Sequence, residues 1–423
     1  MIETLSAVFW GVLTFSILVV LHEGGHFVVA RAFGVKVHEF MLGLPGPAIR
    51  WKGKSTVYGV TAIPLGGYVR IAGMEPGPED PRLGDALAFV TRMRRVTAHD
   101  LAEELGIELA DADGLLVTLA DWGAVNVPEG EADENVYEAA HEVVAAEDPT
   151  SLLEAARSIT YRGLSTWKRI AVLSAGVVVN LLSAILVFVL VLTLYGVPTQ
   201  TLTVEDAAPG GAALAAGIKA GDTIKSLDGK QLADWEALIT SLEAHEPGDD
   251  VAVVIERAGE SVDVDVTLGA SETGKEARLG IQVSQVNVRL TPLAALKESV
   301  RWIGLVFVAI GGFFNPDTFK ESVGGSMSVV GVSVEVARAA GRGPIDYAFL
   351  VALLSLSLGV MNILPIPPLD GGKVAIEIIE AVARRPLPRK VAYGLSLTGA
   401  LLLFTFIGYL MYADVVRYVV KGG

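Results

Sequence analysis

The sequence predicts a polytopic α-helical membrane protein with about four transmembrane helices. To these it adds a membrane-edge β-hairpin, one extracytoplasmic α+β domain and a cytoplasmic helical, winged-helix-like insert. Three observations carry that expectation. Four apolar stretches, Ser6–Ala30, Ile170–Tyr195, Tyr347–Leu364 and Tyr393–Tyr412, are of the length a bilayer core requires, about 20 helical residues. Between the second and third lies a polar stretch in which strand-like and helix-like runs alternate. Finally, the net charge of −15 over 423 residues sits in one segment: Glu75–Thr160 holds 20 Asp and Glu against 5 Arg and no Lys. The chain is 52% hydrophobic, with a mean hydropathy of +0.50, an average over very apolar and very polar stretches. It has no cysteine, which excludes disulfides, thiolate ligands and a cysteine nucleophile.

The first stretch lies within residues 1–74. No basic residue precedes it and its apolar run is long, so it is read as a span and not as a signal peptide. Leu44–Ala72 follows as short strands and turns: Ala48–Lys52, a Gly53-Lys54-Ser55 turn, Thr56–Ile63 and, after Gly66-Gly67, Tyr68–Ile71. Residues 75–165 form the acidic insert. Thr97 is placed to cap a helix holding Leu101, Ala102 and Leu105, Gly106 turns the chain, and Leu115, Leu116, Leu119 and Trp122 share one face of the next helix. This helix-turn-helix pattern fits a winged helix. Its second helix carries Asp111, Asp113 and Asp121 and nothing basic, so a protein partner is expected for the insert and nucleic acid is not.

The second span belongs to residues 166–197. In residues 198–290, strand-like Leu202-Thr203-Val204, Thr223–Leu227, Val251–Glu256 and Val262–Thr267 alternate with helical candidates Ala212–Ile218 and Trp235–Leu242. Pro209–Asp222, with Ile224 and Leu227-Asp228-Gly229-Lys230 after it, resembles a PDZ domain of bacterial protease type. Residues 291–423 open on amphipathic Leu293–Val300 and the short apolar Trp302–Phe314, read as an interfacial or re-entrant helix, and end with the last two spans.

Lysine and arginine set the orientation. Arg31, Lys36, Arg50, Lys52 and Lys54 follow the first span, Lys168 and Arg169 precede the second, and Lys373, Arg384, Arg385, Arg389 and Lys390 lie between the last two. These loops are therefore expected to be cytoplasmic, with Gly196–Val300 outside.

The chemistry is concentrated at the end of the first span, in His22-Glu23-Gly24-Gly25-His26. Four apart on a helix, the two imidazoles project from one face, with Glu23 beside them. Two neutral nitrogens and an adjacent carboxylate suit zinc and a water to be activated. Ionisable groups inside a span are costly, so they point to function. Two histidines leave the site one protein ligand short. The end of the third span, Asn362-Ile363-Leu364-Pro365-Ile366-Pro367-Pro368-Leu369-Asp370-Gly371-Gly372, offers Asp370 at a helix start. A buried aspartate needs a partner.

Taken together, these two motifs on separate spans resemble the site-2 protease family of intramembrane zinc metalloproteases. Pro64-Leu65-Gly66-Gly67-Tyr68-Val69 is similar to that family's hairpin segment. Ser174–Asn180 is similar to its second-span motif, with Val177 in place of the usual proline, and Ser326–Gly331 stands where the family often has Gly-Pro. The resemblance covers all but the acidic insert. It implies Zn2+ held by His22, His26 and Asp370, with Glu23 as general base. It also implies that Asn362 and Asn180 hold the substrate backbone or its oxyanion. The hairpin edge, including Gly66, Gly67 and Tyr68, would pair with an unwound substrate, and the PDZ domain would sit over the entrance. The implied partners are single-span membrane proteins, such as anti-sigma factors or remnant signal peptides, in a bacterial plasma membrane. Two rivals remain. One is a catalytically idle scaffold that binds partners through its PDZ and winged-helix-like modules. The other is a membrane-tethered transcription regulator. The intact zinc motif argues against the first, and the acidic face of the insert argues against the second.

Overall fold

In a bilayer every backbone amide must be bonded internally, so long apolar runs without prolines become helices. The computed structural model describes residues 2–63, 66–74, 78–128, 136–140, 149–271, 276–312 and 329–416. It forms two units, residues 1–188 with 298–423, and residues 189–297.

The first unit opens with α1 (Ile2–Ala32), which carries the histidine motif in its last third. After a turn at Gly34 comes β1 (Val37–Leu42), then β2 (Ala48–Lys52), β3 (Val57–Thr61) and β4 (Gly67–Ile71). The expected β2–β3 hairpin is present, antiparallel from Ala48↔Thr61 to Lys52↔Val57. It is not the whole element, however. β1 inserts parallel to β3 and antiparallel to β4, giving a four-stranded mixed sheet in the order β2-β3-β1-β4. The hairpin or small sheet expected here is thus a four-stranded sheet that also takes in β1. Parallel pairing is non-local, and no turn signal marks it in the sequence.

In the acidic segment, α2 (Leu83–Met93), β5 (Arg95–Thr97), α3 (Ala98–Leu105), α4 (Leu109–Asp121), β6 (Val125–Asn126), β7 (Val136–Ala139) and α5 (Pro149–Ser158) follow in turn. Thr97 caps α3 through a reciprocal box. Its Oγ1 accepts from the Asp100 amide at 3.2 Å, and the Asp100 carboxylate accepts from the Thr97 amide at 2.8 Å. Gly106 ends α3 in the left-handed region, φ 63°. Leu83, Leu87, Leu101, Leu116, Leu119 and Trp122 fill a core of their own, beside a small sheet in the order β5-β7-β6.

Next is α6 (Thr166–Leu194), a candidate span like α1. The second unit then builds β8 (Val197–Ala207), α7 (Ala212–Ala215), β9 (Thr223–Leu227), β10 (Lys230–Gln231), α8 (Trp235–Leu242), β11 (Asp250–Arg257), β12 (Glu260–Thr267), β13 (Gly269–Ala270), β14 (Ala277–Arg278) and β15 (Ile281–Val288). Its main sheet runs β12-β11-β9-β8-β15, over a core of Ile218, Ile224, Leu227, Leu238, Val253, Ile255 and Val266.

The amphipathic and short apolar runs after it merge into one helix, α9 (Pro292–Gly312). Trp302 on α9 packs edge-on against Phe188 of α6, at 4.7 Å between ring centroids. Phe313 and Phe314 lie outside the described residues, as do Ser326–Ser328. Helix α10 (Val329–Arg342) was not anticipated from the sequence. It packs along α1 where Gly11 lets Ser333 approach. The last elements are α11 (Pro344–Ile363), α12 (Asp370–Ala383) and α13 (Arg389–Val415). Among the described residues, four helices are long and apolar enough to cross a membrane: α1, α6, α11 and α13.

One ion pair makes the second unit acid-sensitive. Asp222 is buried and accepts from Arg257 Nε and Nη2 at 2.8 and 2.7 Å, and from the Lys219 amide at 2.7 Å. The Arg257 bonds hold its carboxyl below the ordinary range against the cost of burial. A depressed folded pKa stabilises the fold above the ordinary value near ~3.9, and that stabilisation is lost as pH falls through the folded value. Amide protection factors in β9 should therefore drop steeply in hydrogen exchange below about pH 4. In Asp222→Asn they should be lower at neutral pH and fall less with acid.

Candidate metal centre and catalytic site

Helical spacing places His22 and His26 on one face of α1, and α6 lies against that face. Gly176 permits the approach, because a Cβ there would lie 2.5 Å from His26 Nε2 and 2.7 Å from His22 Cε1. Gly25 does the same from the α1 side, where a Cβ would lie 2.6 Å from the Ala175 carbonyl oxygen. Asp370 arrives at the first turn of α12. Gly371 and Gly372 pack there against the backbone of Ile363–Leu364 and Ile366–Pro367, leaving no room for side chains. One face of α12 is fixed to α6 by buried Glu377, two turns after Asp370. Its Oε1 lies 3.1 Å from Arg169 Nη1, and its Oε2 accepts from the Tyr161 hydroxyl at 3.2 Å. Burial raises the carboxyl of Glu377 and the phenol of Tyr161 above their ordinary values.

The structure brings His22, His26 and Asp370 together. All three are buried, and their ligand atoms lie within 4.8 Å of one another. Asp370 Oδ2 is 2.9 Å from His22 Nε2 and 3.2 Å from His26 Nε2, and the two Nε2 atoms are 3.4 Å apart. Tetrahedral zinc with its usual bond lengths separates its ligands by about 3.3 Å. His26 Nδ1–H donates to the Val172 carbonyl oxygen at 2.7 Å. A neutral His26 thus turns a lone pair toward a carboxylate, and such an arrangement lacks a cation between them. The donor set fits zinc.

Beside the three converging groups, Lys373 Nζ donates to Asp370 Oδ1 at 3.1 Å, leaving Oδ2 to face the histidines. Burial opposes ionisation of Asp370. The Lys373 ammonium, 3.1 Å from Oδ1, favours the ionised form that a metal ligand would need. Glu23 is half-buried beside the cluster, and makes no hydrogen bond or ion pair to any described residue. Gly67, at the start of edge strand β4, backs onto it, with a Cβ there 3.7 Å from Glu23 Cγ.

The other expected site residues are distributed as follows. Asn180 is fully buried, its Nδ2 3.2 Å from His22 Nδ1. Asn362 is half-buried, and its amide donates to the Leu358 carbonyl of its own helix at 3.0 Å. Gly66 turns with φ 91° into β4, where the Tyr68 hydroxyl donates to Glu39 Oε2 at 2.9 Å. Pro64 and Leu65 lie outside the described residues. Sequence reading missed Lys373, one turn past Asp370, as well as the Val172 carbonyl. The signal for Lys373 was a lone base one turn after the Asp-Gly-Gly.

Comparisons with known proteins identify the family. The sequence matches peptidase family M50 over residues 10–406. Zinc metalloprotease RasP of Geobacillus kaustophilus is 27% identical over 99% of this chain and 100% of its own. The probable protease eep of Enterococcus faecalis is 29% identical over 95% of each. Regulator of sigma-W protease RasP of Bacillus subtilis is 24% identical over 96% of this chain and 97% of its own. Among solved structures, the PDZ domain of the SdrC-like protein of Listeria innocua is similar to 20% of this chain and 92% of that domain, at 24% identity and a TM-score of 0.18. The chain belongs to peptidase family M50, the site-2 protease type of membrane zinc metalloprotease.

Gly176 constrains the centre directly, because a Cβ there would meet both imidazoles. Gly176→Ala should weaken zinc binding strongly and reduce proteolysis, while the protein still inserts and accumulates normally. Zinc titration of the purified chain checks this. Wild-type affinity in the variant would mean that the helices separate freely at this point.

Proposed function

We propose that His22, His26 and Asp370 hold one zinc ion and that Glu23 is the general base of peptide hydrolysis within or near the bilayer. The observation that carries this reading is the buried convergence of three acceptor atoms next to a carboxylate with no described partner. Zinc, when bound, would polarise the scissile carbonyl and make water in its open position acidic enough to react at neutral pH. Glu23 accepts a proton from the attacking water and returns it to the leaving amine. Lys373 keeps Asp370 ionised. β4 is an edge strand with Gly67 against Glu23, so an extended substrate can add to the sheet there and bring its carbonyl to the centre. Such pairing satisfies the amides that unwinding a substrate helix exposes. We assign Gly66, Gly67, Tyr68 and Asn362 to that substrate path. An idle scaffold would not need this donor set.

The proposed substrates are single-span membrane proteins. The Bacillus subtilis relative is named for regulation of sigma-W, which favours anti-sigma factors among them. The second unit is proposed to be an extracytoplasmic PDZ domain, and the acidic segment a cytoplasmic, winged-helix-like module that binds a protein. The order helix, strand, two helices, two strands supports the latter assignment, and the lysine and arginine distribution supports both sides.

Glu23→Gln keeps shape and polarity but cannot accept the proton. Turnover of a co-expressed single-span substrate should fall by about 10²–10⁴-fold with zinc content unchanged. Near-normal cleavage would remove Glu23 from the mechanism. For topology, the chain has no cysteine of its own. A cysteine at Ser261 should react with an impermeant thiol reagent on intact cells, and one at Glu103 should not. The reverse pattern contradicts the orientation.

A further inference from the structure

The stripe of α6 that faces the histidines has three members at four-residue spacing. Val172 offers a carbonyl, which only accepts, so His26 carries its proton on Nδ1 and presents Nε2. Gly176 offers space. Asn180 offers an amide, which can donate or accept.

One end of that amide lies 3.2 Å from His22 Nδ1, and Oδ1 at the other end is buried with no hydrogen-bond partner among the described residues. With Nδ2 toward His22, the amide donates to Nδ1. The imidazole proton is then on Nε2, directed at Asp370 Oδ2 2.9 Å away. A nitrogen carrying that proton cannot ligate a metal. With Oδ1 toward His22, the amide accepts from Nδ1–H and Nε2 turns a lone pair to the cluster. The two orientations differ by a half-turn of the amide. Nothing at its far end favours either, so the state of His22 decides.

We infer that Asn180 is a positioning residue for the metal. It accepts from His22 Nδ1–H when zinc is bound and donates to Nδ1 when it is not. His22 Nδ1 is thus partnered in both states. The backbone around it is held firmly. Ser183 Oγ and Ser355 Oγ both donate to the Asn180 carbonyl, at 3.0 and 3.1 Å, and Gly359 brings α11 close against its Cβ. This role deepens the zinc-protease reading and rests on it. It differs from a substrate contact, because the residue is fully buried.

The test uses the full detergent-solubilised chain, with zinc affinity measured by competition against a chelator, and kcat and KM measured separately at saturating zinc. Asn180→Leu removes the acceptor and should weaken zinc by about 10–100-fold, as loss of such outer partners does, with KM unchanged. Asn180→Asp can only accept, and should hold zinc close to wild type. Asn180→Ala replaces the leucine variant if that does not accumulate. Wild-type zinc affinity in Asn180→Leu together with a raised KM would overturn the inference in favour of a substrate role. Equal weakening in Asn180→Asp and Asn180→Leu would also overturn it. If the wild-type chain binds no zinc, the metal reading itself fails, a distinct result.

Discussion

The proposed function depends on the convergence of two imidazoles and a carboxylate where α1, α6 and α12 meet. Two imidazole nitrogens and a carboxylate oxygen lie 2.9–3.4 Å apart in a buried site. His26 Nδ1–H donates to a backbone carbonyl, which leaves its Nε2 as a lone pair. That lone pair faces the Asp370 carboxylate at 3.2 Å, and the low dielectric of the interior strengthens the repulsion that a cation between them would relieve. These three atoms would supply three of the ligands that zinc takes. Much of the surrounding fold serves to keep them there.

That service can be traced through small residues and paired buried polar groups. Gly25 and Gly176 let α1 and α6 approach until the rings fit between them. Gly371 and Gly372 fold the proline-rich turn onto the start of α12. Glu377, Arg169 and Tyr161 then fix the depth of that helix against α6. Small residues and shared polar contacts are how helices associate where lipid offers no hydrophobic driving force. Glu23, beside the cluster, makes no hydrogen bond or ion pair to a described residue.

The local parts of this arrangement were legible in the sequence. The four spans, the histidine pair, the Asp370 turn and the Thr97 cap each depend on residues adjacent or one helical turn apart. Strand β1 was not legible, since Val37–Leu42 carries no alternation and finds its partners, β3 and β4, through non-local pairing. Helix α10 was missed because Val329–Val336 is valine-rich and contains glycine, a composition that argues against a helix. Packing along α1 overrides that propensity. The Gly176 and Asn180 spacing was visible as a motif, but its role was not. The role of Val172 could not have been read from the sequence, because the group that matters is a backbone carbonyl, which every residue has.

X-ray absorption at the zinc edge of the purified full-length chain tests the centre most directly. The account predicts one zinc per chain with two imidazole nitrogens and otherwise only oxygen donors, at about 2.0–2.2 Å, and one oxygen donor replaced or lost in Asp370→Ala. Three imidazoles in the first shell, or an unchanged spectrum in Asp370→Ala, would contradict it.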